Sequence, residues 1–300
     1  MYYEYRRFSF NRHYQYFLRM NQADLLIIGV IYNTYPETLR YLDSLLPSAN
    51  GNLSLILVDN SDKLQPSDFT ETIKGYPFLH YLKTNKNLGY FGGAREGLKY
   101  YLREHATYPQ WILVTNVDIV FTPQFFQRLT ELNNNQNLGV VAPSILSKKW
   151  NTDYNPKIPV RYSKGKLQFY KFLYSNFLLH NLFLIAAYAK KWCLGMWRVQ
   201  KDLNENPFHM GRKIYAPHGS CLVFKDTYFT RGGTLNLPNF LFGEEILVAE
   251  TALQSGLDVE YHPEMIIYDY EHASVGFWVS PKINMFYRDS VISILERYYS

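Results

Sequence analysis

The sequence predicts an α/β fold in which helices flank a mostly parallel central sheet. Three observations favour this fold class. Short apolar runs rich in β-branched residues recur along the chain, as expected for strands buried on both faces of a parallel sheet. Helical patterns separate these runs, and strands that alternate with helices form right-handed βαβ units. Hydrophobic residues make up 47% of the chain and charged residues 19%, which is typical of globular proteins.

The first half of the chain carries this alternation most clearly. Pro36 and Glu37 suit the first turn of a helix that runs to residue 46, and Pro123 opens another helix. A further helix is expected at 94–105. The strands are predicted at 25–31, 53–58, 78–82, 111–114 and 138–143.

The alternation is lost between residues 147 and 213 and then returns. We predict a strand at 214–224, a helix at 240–256, extended runs at 259–262 and 265–270, and a C-terminal helix at 282–299. The 300 residues allow one large domain or two modest ones. No internal repeat or low-complexity linker divides the chain.

The strand at 111–114 leads into the polar pair Asn116 and Asp118. The two residues are two apart, so that in extended backbone their side chains point the same way. Open α/β sheets bind ligands at the carboxyl ends of their strands. Hard divalent cations take oxygen ligands of this kind and leave positions open for substrate phosphates. The pair therefore indicates a metal and phosphate site, although the same residues could simply terminate a strand.

Three more polar sites follow strands or open helices: Asp59 with Asn60, the acidic pair Glu244 and Glu245, and His272. Each also has a structural explanation. An Asp can cap the next element, an acidic pair complements a helix dipole, and a single histidine is more often structural than a ligand. Their order along one α/β framework is what favours a shared site.

A glycine-rich loop precedes the helix predicted at 94–105. Gly89, Gly92 and Gly93 match neither the dinucleotide fingerprint G-x-G-x-x-G nor the phosphate loop G-x-x-x-x-G-K-[ST]. Glycines before a helix let backbone amides approach an anion, with help from the helix dipole. The alternative is a tight turn that needs positive φ.

A basic segment interrupts the second half of the chain. Its eight basic residues, with no acidic residue between the first and the last, are Arg161, Lys164, Lys166, Lys171, Lys190, Lys191, Arg198 and Lys201. Residues 177–189 among them are mostly apolar and helical in pattern, but too short to span a bilayer. They suit a helix lying in the headgroup region of an anionic membrane. The alternative is a helical insert packed on the domain, with a solvated basic rim.

Charge and cysteine content narrow the compartment and the partners. The net charge of +5 is modest and does not indicate nucleic-acid binding, so we expect no nucleic-acid partner. Two cysteines, Cys193 and Cys221, cannot form a disulfide framework, which favours a reducing compartment. The N-terminus lacks the uninterrupted apolar core of a signal peptide. We therefore expect a cytoplasmic protein, peripheral on the inner face of the cell membrane.

Seven sequence features in one order resemble the family-2 glycosyltransferases of the GT-A fold, particularly their rhamnosyltransferase-like branch. They are Val-Ile-Tyr-Asn at 30–33, Val-Asp-Asn-Ser at 58–61, Asn-Leu-Gly-Tyr-Phe-Gly-Gly-Ala-Arg at 87–95, Thr-Asn-Val-Asp at 115–118, Ala-Pro-His-Gly-Ser at 216–220, Phe-Gly-Glu-Glu at 242–245, and His272. The resemblance covers most of residues 25–276. It implies a GT-A fold with a Rossmann-like, mostly parallel sheet, to which the sequence pattern adds the helical basic insert.

The resemblance also implies roles for the matching residues. The donor would be held by Tyr32, Asn33, Asp59, Asn87, Gly89, Arg95, Asn116, Gly219 and Ser220. Among these, Asp59 would meet the edge of the base and Arg95 would reach the diphosphate. Asp118 and His272 would ligate Mn²⁺ or Mg²⁺, with Asn116 in the outer shell.

The implied general base lies in the acidic pair. In the family the base is usually the Asp of a Glu-Asp pair, a position that here aligns with Glu245. Because Glu is one methylene longer, either Glu245 or Glu244 could reach the acceptor. A carboxylate at a helix N-terminus is expected to stay ionised, as a base must be. Two other positions depart from the family pattern: Asn116 replaces an acid in the metal motif, and Glu96 stands where Asn is frequent.

The implied function is inverting transfer of a sugar, with rhamnose as a candidate, in bacterial surface polysaccharide synthesis. The donor would be a dTDP- or UDP-linked sugar, and the acceptor a saccharide or lipid-linked saccharide. The basic segment, and not the resemblance, adds an anionic membrane surface to the expected partners. Two alternatives remain open. A nucleotidyltransferase would need a lysine-rich loop after the first strand, which residues 33–36 do not supply. A non-catalytic sugar- or lipid-binding protein would use the acidic pair only as a helix cap.

The same resemblance divides the chain. We predict an N-terminal extension at 1–22, a GT-A catalytic domain at 23–276 and a C-terminal helix at 277–300. Within the catalytic domain, residues 23–122 would form the nucleotide-binding half and residues 123–276 the acceptor half. The helical insert would occupy about 150–212.

Overall fold

The computed structural model describes residues 25–46, 53–76, 78–132, 135–147, 152–197, 211–237, 239–270 and 278–299. The predicted N-terminal extension lies outside these residues, and so does His272. Within them the strands are β1 (Leu25–Ile31), β2 (Leu53–Asp59), β3 (Leu79–Lys83), β4 (Trp111–Asn116), β5 (Ile119–Phe121), β6 (Leu138–Ser147), β7 (Thr152–Asp153), β8 (Arg212–Lys213), β9 (Cys221–Lys225) and β10 (Asp258–Asp269). The helices are α1 (Tyr35–Leu45), α2 (Ser67–Ile73), α3 (Tyr90–Glu104), α4 (Pro123–Glu131), α5 (Lys164–Leu173), α6 (Phe177–Trp197), α7 (Asp226–Thr230), α8 (Glu244–Gln254) and α9 (Pro281–Tyr298).

The strands form one mixed sheet in the order β3-β2-β1-β4-β9-β6-β10-β5, with β7 paired to β6 and β8 to β10. The pairs β3·β2, β2·β1, β1·β4 and β6·β10 are parallel. β9 is antiparallel to both of its neighbours, and β5 is antiparallel to β10. The predicted mostly parallel α/β sheet is confirmed. Because β9 runs in reverse, its first residues lie at the edge where β4 ends.

Helices cover both faces of the sheet, which explains the unbroken apolar run in β1. All seven residues of β1 are buried. Successive side chains of a strand point to opposite faces, so that Ile27 packs in the cluster with Tyr41 and Phe125 while Ile28 packs with Phe91. Burying one such side chain contributes about 1.5–3 kcal/mol.

Several boundaries differ from the prediction. Helix α2 was not predicted, and α3 begins at Tyr90 rather than at residue 94, so that Gly92 and Gly93 lie inside the helix. The two extended runs at 259–262 and 265–270 join in one strand, β10, whose register shifts between His262 and Ile266. The strand predicted at 214–224 is regular only in β9, which extends to residue 225.

The insert consists of two helices, α5 and α6, packed beside the C-terminal helix α9. Leu167 of α5 shares a small core with Ile246 of α8 and with Val291 and Ile294 of α9. The first turns of α6 dock through buried polar groups: Asn181 exchanges hydrogen bonds of 2.9 Å with the backbone of Val279. Among the described residues, no helix combines the length and the apolar character needed to cross a membrane.

Candidate active site

One edge of the sheet gathers the segments that the sequence analysis singled out. β1, β2 and β4 end there, and β9 begins there. The Asn116 N–H donates to the Ser220 carbonyl at 2.9 Å, and the Tyr270 N–H donates to the Asp118 carbonyl at 3.3 Å. The ends of β4 and β10 and the turn before β9 therefore meet, as in α/β folds that bind ligands at this edge.

Asp118 lies in the bend between β4 and β5 and is half-buried. In the described part of the chain, no three His, Cys, Asp or Glu side chains are grouped so that they could hold a metal ion. Mg²⁺ and similar cations do not need such a cage, because they are often bound by one or two carboxylates, waters and substrate phosphates. Asp118, with the Asn116 amide nearby in sequence, fits a cation that is shared with a diphosphate. Tyr270, whose N–H bonds to the Asp118 carbonyl, precedes His272 by two residues in the sequence.

Asp59 is fully buried at the end of β2, and protein groups surround its carboxylate. Tyr35 and Tyr81 donate hydroxyl hydrogen bonds to Oδ2, Ser61 N–H donates to Oδ1 at 2.8 Å, and the Lys83 ammonium lies 3.3 Å from Oδ2. Burial alone raises the pKa of Asp59, but the hydrogen bonds from Ser61 and Tyr81 and the charge of Lys83 outweigh it and lower the pKa. The carboxylate has no accessible surface for the edge of a base. Instead, it organises the loop that follows β2.

The accessible groups beside this loop are Tyr32, Asn33 and Asp62. The Tyr32 side chain is 45% exposed, and its hydroxyl donates to Asp62 at 3.2 Å. The Asn33 amide donates to Asp62 at 2.8 Å, and the Asn33 N–H donates to Ser61 Oγ at 2.8 Å. Asp62 was missed in the sequence analysis, although it lies within the Asp-Asn-Ser-Asp run that ends β2. These groups form a polar surface at the end of β1.

The glycine loop is fixed by hydrogen bonds at both ends. The Asn87 Oδ1 accepts from the Gly89 N–H at 2.9 Å, and Asn60 Nδ2 donates to the Gly89 carbonyl at 2.8 Å. Gly89 has φ +75°, and a Cβ there would lie 2.1 Å from the carbonyl oxygen of Phe240. Only glycine fits both the conformation and the contact. The loop before α3 is thus packed against the loop before α8.

Arg95 lies on α3. Its described contacts are with Asn236 and Glu96 and not with the end of β4. Its Nη1 donates to Asn236 Oδ1 at 2.8 Å, and its Nε lies 3.8 Å from Glu96 Oε1. The guanidinium therefore ties α3 to the loop that precedes α8. Contact with a diphosphate remains a prediction from the resemblance.

The acidic pair opens α8 after a sharp turn. Phe242 and Gly243 both have positive φ, of 67° and 94°, which is unusual for a bulky residue such as Phe242. Phe242 stacks on Tyr287 of α9, and a Cβ on Gly243 would lie 2.4 Å from Ser290 Oγ. Helix α9 therefore fixes the turn that presents the two carboxylates.

The two acids of this pair have different surroundings. Glu244 is buried, and burial together with the neighbouring charge of Glu245 raises its pKa to about 8. The expectation that a carboxylate at this helix start stays ionised is therefore wrong for Glu244, because burial outweighs the helix dipole. Glu245 is only half-buried and faces the turn before β9: a Cβ on Gly219 would lie 3.4 Å from Glu245 Oε1.

The turn before β9 is held by two residues that the sequence analysis did not single out as site residues. The Tyr90 hydroxyl donates to the Gly219 carbonyl at 2.7 Å. His218 Nδ1 accepts from the Ser220 N–H at 3.2 Å, and burial and the charge of Lys157 lower the pKa of His218 to about 3. His218 is therefore a neutral acceptor. The motif Ala-Pro-His-Gly-Ser contained this signal.

These contacts connect the acidic pair to the end of β4. Glu245 faces Gly219. The carbonyl of the next residue, Ser220, accepts a hydrogen bond from the Asn116 N–H, and Asp118 follows Asn116 by two residues. Of the predicted site residues, this edge brings together Asn116, Asp118, Gly219, Ser220, Glu244 and Glu245. Tyr32 and Asn33 lie at the end of the adjacent strand β1. Asn87 and Gly89 lie in the loop before α3, and Arg95 lies on that helix.

Comparison with known proteins agrees with this architecture. A hexosyltransferase of low-salt glycan biosynthesis, Agl10 of Haloferax volcanii, is 23% identical over 236 residues, which are 79% of this chain and 64% of that protein. This chain therefore spans less than two thirds of that relative's length.

Two solved structures share the fold. GalNAc-T7 with UDP, GalNAc and Mn²⁺ superposes with a TM-score of 0.56 at 11% identity, covering 94% of this chain and 50% of that one. Mannosyltransferase PcManGT from Pyrobaculum calidifontis, in complex with GDP-Man and Mn²⁺, superposes with a TM-score of 0.50 at 13% identity. It covers 88% of this chain and 64% of that one. The predicted GT-A fold is confirmed.

The sequence profile of glycosyl transferase family 2 matches residues 26–192, which is more than half of the chain and runs from β1 into α6. The matched part contains the ends of β1, β2 and β4 and the glycine loop. This protein therefore belongs to glycosyl transferase family 2.

Proposed function

We propose that this protein is an inverting glycosyltransferase that moves a sugar from a nucleoside-diphosphate donor to a hydroxyl group of a saccharide acceptor. The observation that carries the proposal is the placement of Glu245 beside Gly219, whose neighbour Ser220 accepts a hydrogen bond from Asn116, two residues before Asp118. It brings a half-buried carboxylate to the edge where a divalent cation and a diphosphate would bind. Membership of the family and the GT-A fold support the same reaction class.

The nucleoside would bind at the end of β1. Tyr32 offers an exposed ring for stacking, and Asn33 and Asp62 offer hydrogen-bonding groups at the surface. Asp59 would act indirectly, by holding the loop through Ser61. The donor would carry uridine or thymidine diphosphate. The two solved structures of the same fold contain UDP or GDP-Man, so that guanosine is a third candidate for the test.

Asp118 would hold Mn²⁺ or Mg²⁺, with His272 as a second ligand and Asn116 in the outer shell. When bound, the cation would stabilise the charge that develops on the departing diphosphate. The backbone of Asp118 lies between β4 and β5, and its carbonyl accepts a hydrogen bond from the Tyr270 N–H, two residues before His272 in the sequence.

Glu245 would be the general base and Glu244 its neighbour. The raised pKa of Glu244 keeps much of this side chain protonated near neutral pH, so that it is a poor base. Glu245 would take the proton of the acceptor hydroxyl while the oxygen of that hydroxyl bonds to the anomeric carbon. The bond from that carbon to the diphosphate oxygen breaks at the opposite face, and the configuration at this carbon inverts.

The acceptor would be a saccharide or lipid-linked saccharide of a surface glycan. The protein would act on it in the cytoplasm, at the inner face of the membrane. The curated relative acts in glycan biosynthesis as a hexosyltransferase, which supports a hexose as the transferred sugar. The rhamnosyltransferase-like motifs make rhamnose the first sugar to test.

Thermal-shift screening of dTDP-, UDP- and GDP-linked sugars, with and without Mn²⁺, tests the donor site. A donor that binds only the native protein raises its melting temperature. We expect one nucleotide class to stabilise the protein in the presence of Mn²⁺. Asp118→Asn should abolish the part of the rise in melting temperature that depends on Mn²⁺. Asp226→Asn, in the first turn of α7, serves as a control and should leave that rise unchanged. An identical shift for Asp118→Asn and wild type would contradict the metal site.

A further inference from the structure

The insert exposes an apolar surface that no described part of the chain covers. We call it the insert face; its members, each 40–65% exposed, are Phe169, Phe172, Leu178, Leu182, Phe183 and Ile185. The rings of Phe169 on α5 and Phe183 on α6 are 6.2 Å apart, so that the two helices form one continuous surface. Large contiguous apolar surfaces on a folded protein mark contact sites for a partner or a membrane.

Helix α6 exposes apolar side chains over most of its described length. Its first turns are anchored by two buried residues: His180 bonds to Asn284 of α9, and Asn181 bonds to Val279 just before α9. Beyond Asn181, the side chains of residues 182, 183, 185–187 and 189 are exposed, and all are apolar. A helix that is apolar on most sides is typical of a buried or membrane environment.

The charges around the insert face are basic. Two of the insert's cations have protein partners: Arg161 binds Glu250 with two hydrogen bonds of 2.7 and 2.9 Å, and Lys166 lies over the Tyr162 ring at 3.9 Å. Lys164, Lys171 and Lys190 are exposed, and none of them forms an ion pair within the part of the chain that the structure describes. These three remain available for an anionic surface.

We propose that the insert face docks on an anionic lipid surface, with Phe172 and Leu182 entering the headgroup region and Lys164, Lys171 and Lys190 contacting lipid phosphates. Apolar burial and attraction to anionic lipids are the two contributions that hold such helices at a bilayer. A second copy of the chain fits less well, because a two-fold contact through this face would bring the same lysines together. The N-terminal segment 1–24 also fits less well, since its four arginines repeat the charge of the insert.

A groove beside the insert face has the mixed lining that a phospholipid needs. It has a volume of about 280 Å³ and lies between the start of α6 and α9, where Phe177 and Met285 are apolar and Asn176 and Arg288 are polar. Arg288 also contacts Asp289 at 3.1 Å. A headgroup phosphate near Arg288, with acyl carbons along Phe177, would continue the insert face into the protein.

The insert is connected to the proposed active site through α9. Tyr287 of α9 packs on Tyr174 and His180 of the insert, with ring centroids 5.4 and 5.3 Å away, and on Phe242 before the acidic pair. One ring thus links the insert to the catalytic turn. The lipid-linked acceptor of the proposed function is the substrate that this placement would serve, and this last step rests on that function.

Flotation of the full chain with lipid vesicles tests the proposal without any turnover. The probes are vesicles of phosphatidylcholine alone and of phosphatidylcholine with phosphatidylglycerol. We expect binding to the anionic vesicles. Phe172→Ser with Leu182→Ser should weaken it by at least about tenfold, because two apolar side chains lose their burial. Lys171→Glu with Lys190→Glu should weaken it by at least about tenfold, since each lysine near an anionic surface contributes to binding.

Matched controls separate the insert face from general effects. Leu64→Ser changes an apolar residue that is 97% exposed elsewhere, and Lys74→Glu with Arg103→Glu makes the same change in net charge on other helices. Both should float like wild type. Absence of wild-type binding, or equal binding by the insert and control variants, would overturn the proposal. So would a dimer in analytical ultracentrifugation that Phe172→Ser with Leu182→Ser dissolves, without lipid binding. Nucleotide binding, measured separately, reports on the proposed function alone.

Discussion

The ring of Phe242 stacks on the ring of Tyr287 with centroids 3.9 Å apart and planes 8° apart. Phe242 has φ +67° and is followed by Gly243 and the acidic pair, so that this stack holds an unusual backbone turn directly before Glu244. Backbone in sparsely populated conformations persists only where its surroundings over-determine it. The aromatic contact from α9 is part of that support, and it defines the direction in which α8 begins.

Loss of the stack between Phe242 and Tyr287 should lower kcat while the protein stays folded. Tyr287→Leu removes the ring, and we expect kcat to fall by about tenfold to a hundredfold, since small displacements of a catalytic group have effects of this size. Tyr287→Phe keeps the ring and should remain within about threefold of wild type, because a stacked pair depends on the ring rather than the hydroxyl. Steady-state kinetics with circular dichroism as a folding check would measure both. Equal kcat for the Leu variant and wild type would contradict the role of α9.

Gly243 should tolerate no side chain, for two separable reasons. Gly243→Ala meets both a positive φ and a contact of 2.4 Å with Ser290 Oγ, and should lose about 2–4 kcal/mol of unfolding free energy. Gly232 has nearly the same φ, +95°, with nothing within 4 Å of a built Cβ, so that Gly232→Ala should lose only about 1–2 kcal/mol.

Urea denaturation of these variants measures the two contributions. Adding Ser290→Ala to Gly243→Ala should recover part of the loss by removing the hydroxyl group that the new Cβ meets. If Gly243→Ala is no less stable than Gly232→Ala, the close packing of α9 against the catalytic turn is wrong.

The stability of the protein should fall between about pH 7 and pH 9 because of His262. This histidine is buried on β10 between Glu260 and Glu264, at 3.2 and 3.0 Å. Burial alone lowers its pKa, but the hydrogen bonds and charges of the two glutamates outweigh burial and raise the pKa to about 9. A group whose pKa is raised on folding stabilises the native state below its unfolded pKa of about 6.5 and loses that stabilisation as pH rises through the folded value.

The expected slope is at most about 1.4 kcal/mol per pH unit over this window. Glu244, whose pKa is also raised, contributes a fall in the same direction, so the variant His262→Gln is needed to isolate the histidine. His180 and His218 do not interfere, because their pKa values are lowered and they titrate below this range. Urea denaturation at several pH values should show a smaller slope for His262→Gln than for wild type. Parallel curves would contradict a charged His262.

The sequence predicted the strands of the first half well because buried parallel strands are continuous apolar runs. The apolar run alone predicted β1 at Leu25–Ile31, as the structure has it. The reversed direction of β9 was not predictable, since an antiparallel strand buried on both faces has the same apolar pattern. The joining of the two extended runs in β10 was not predictable either, because it depends on the partner strand β6, which pairs with both runs across a change of register.

For the candidate site, the sequence located the polar strand ends but not their partners. The donors around Asp59 include Tyr81 and Lys83, which reach it only because β3 lies beside β2. Arg161 was one of the eight basic residues that defined the insert, and the sequence does not show that it binds Glu250, 89 residues away. Burial of Glu244 likewise depends on packing between α8 and α9, which local sequence does not contain. The role of His272, outside the described residues, stays a prediction.

The most direct test of the proposed mechanism compares kcat of Glu245→Gln and Glu244→Gln with the donor found in the nucleotide screen. We expect Glu245→Gln to lower kcat by about 10²- to 10⁴-fold, the usual contribution of a general base, while Mn²⁺-dependent nucleotide binding is unchanged. Glu244→Gln, which replaces a largely protonated carboxyl group by an amide of the same shape, should stay within about tenfold of wild type. Wild-type kcat in Glu245→Gln would contradict the assignment of Glu245 as the base.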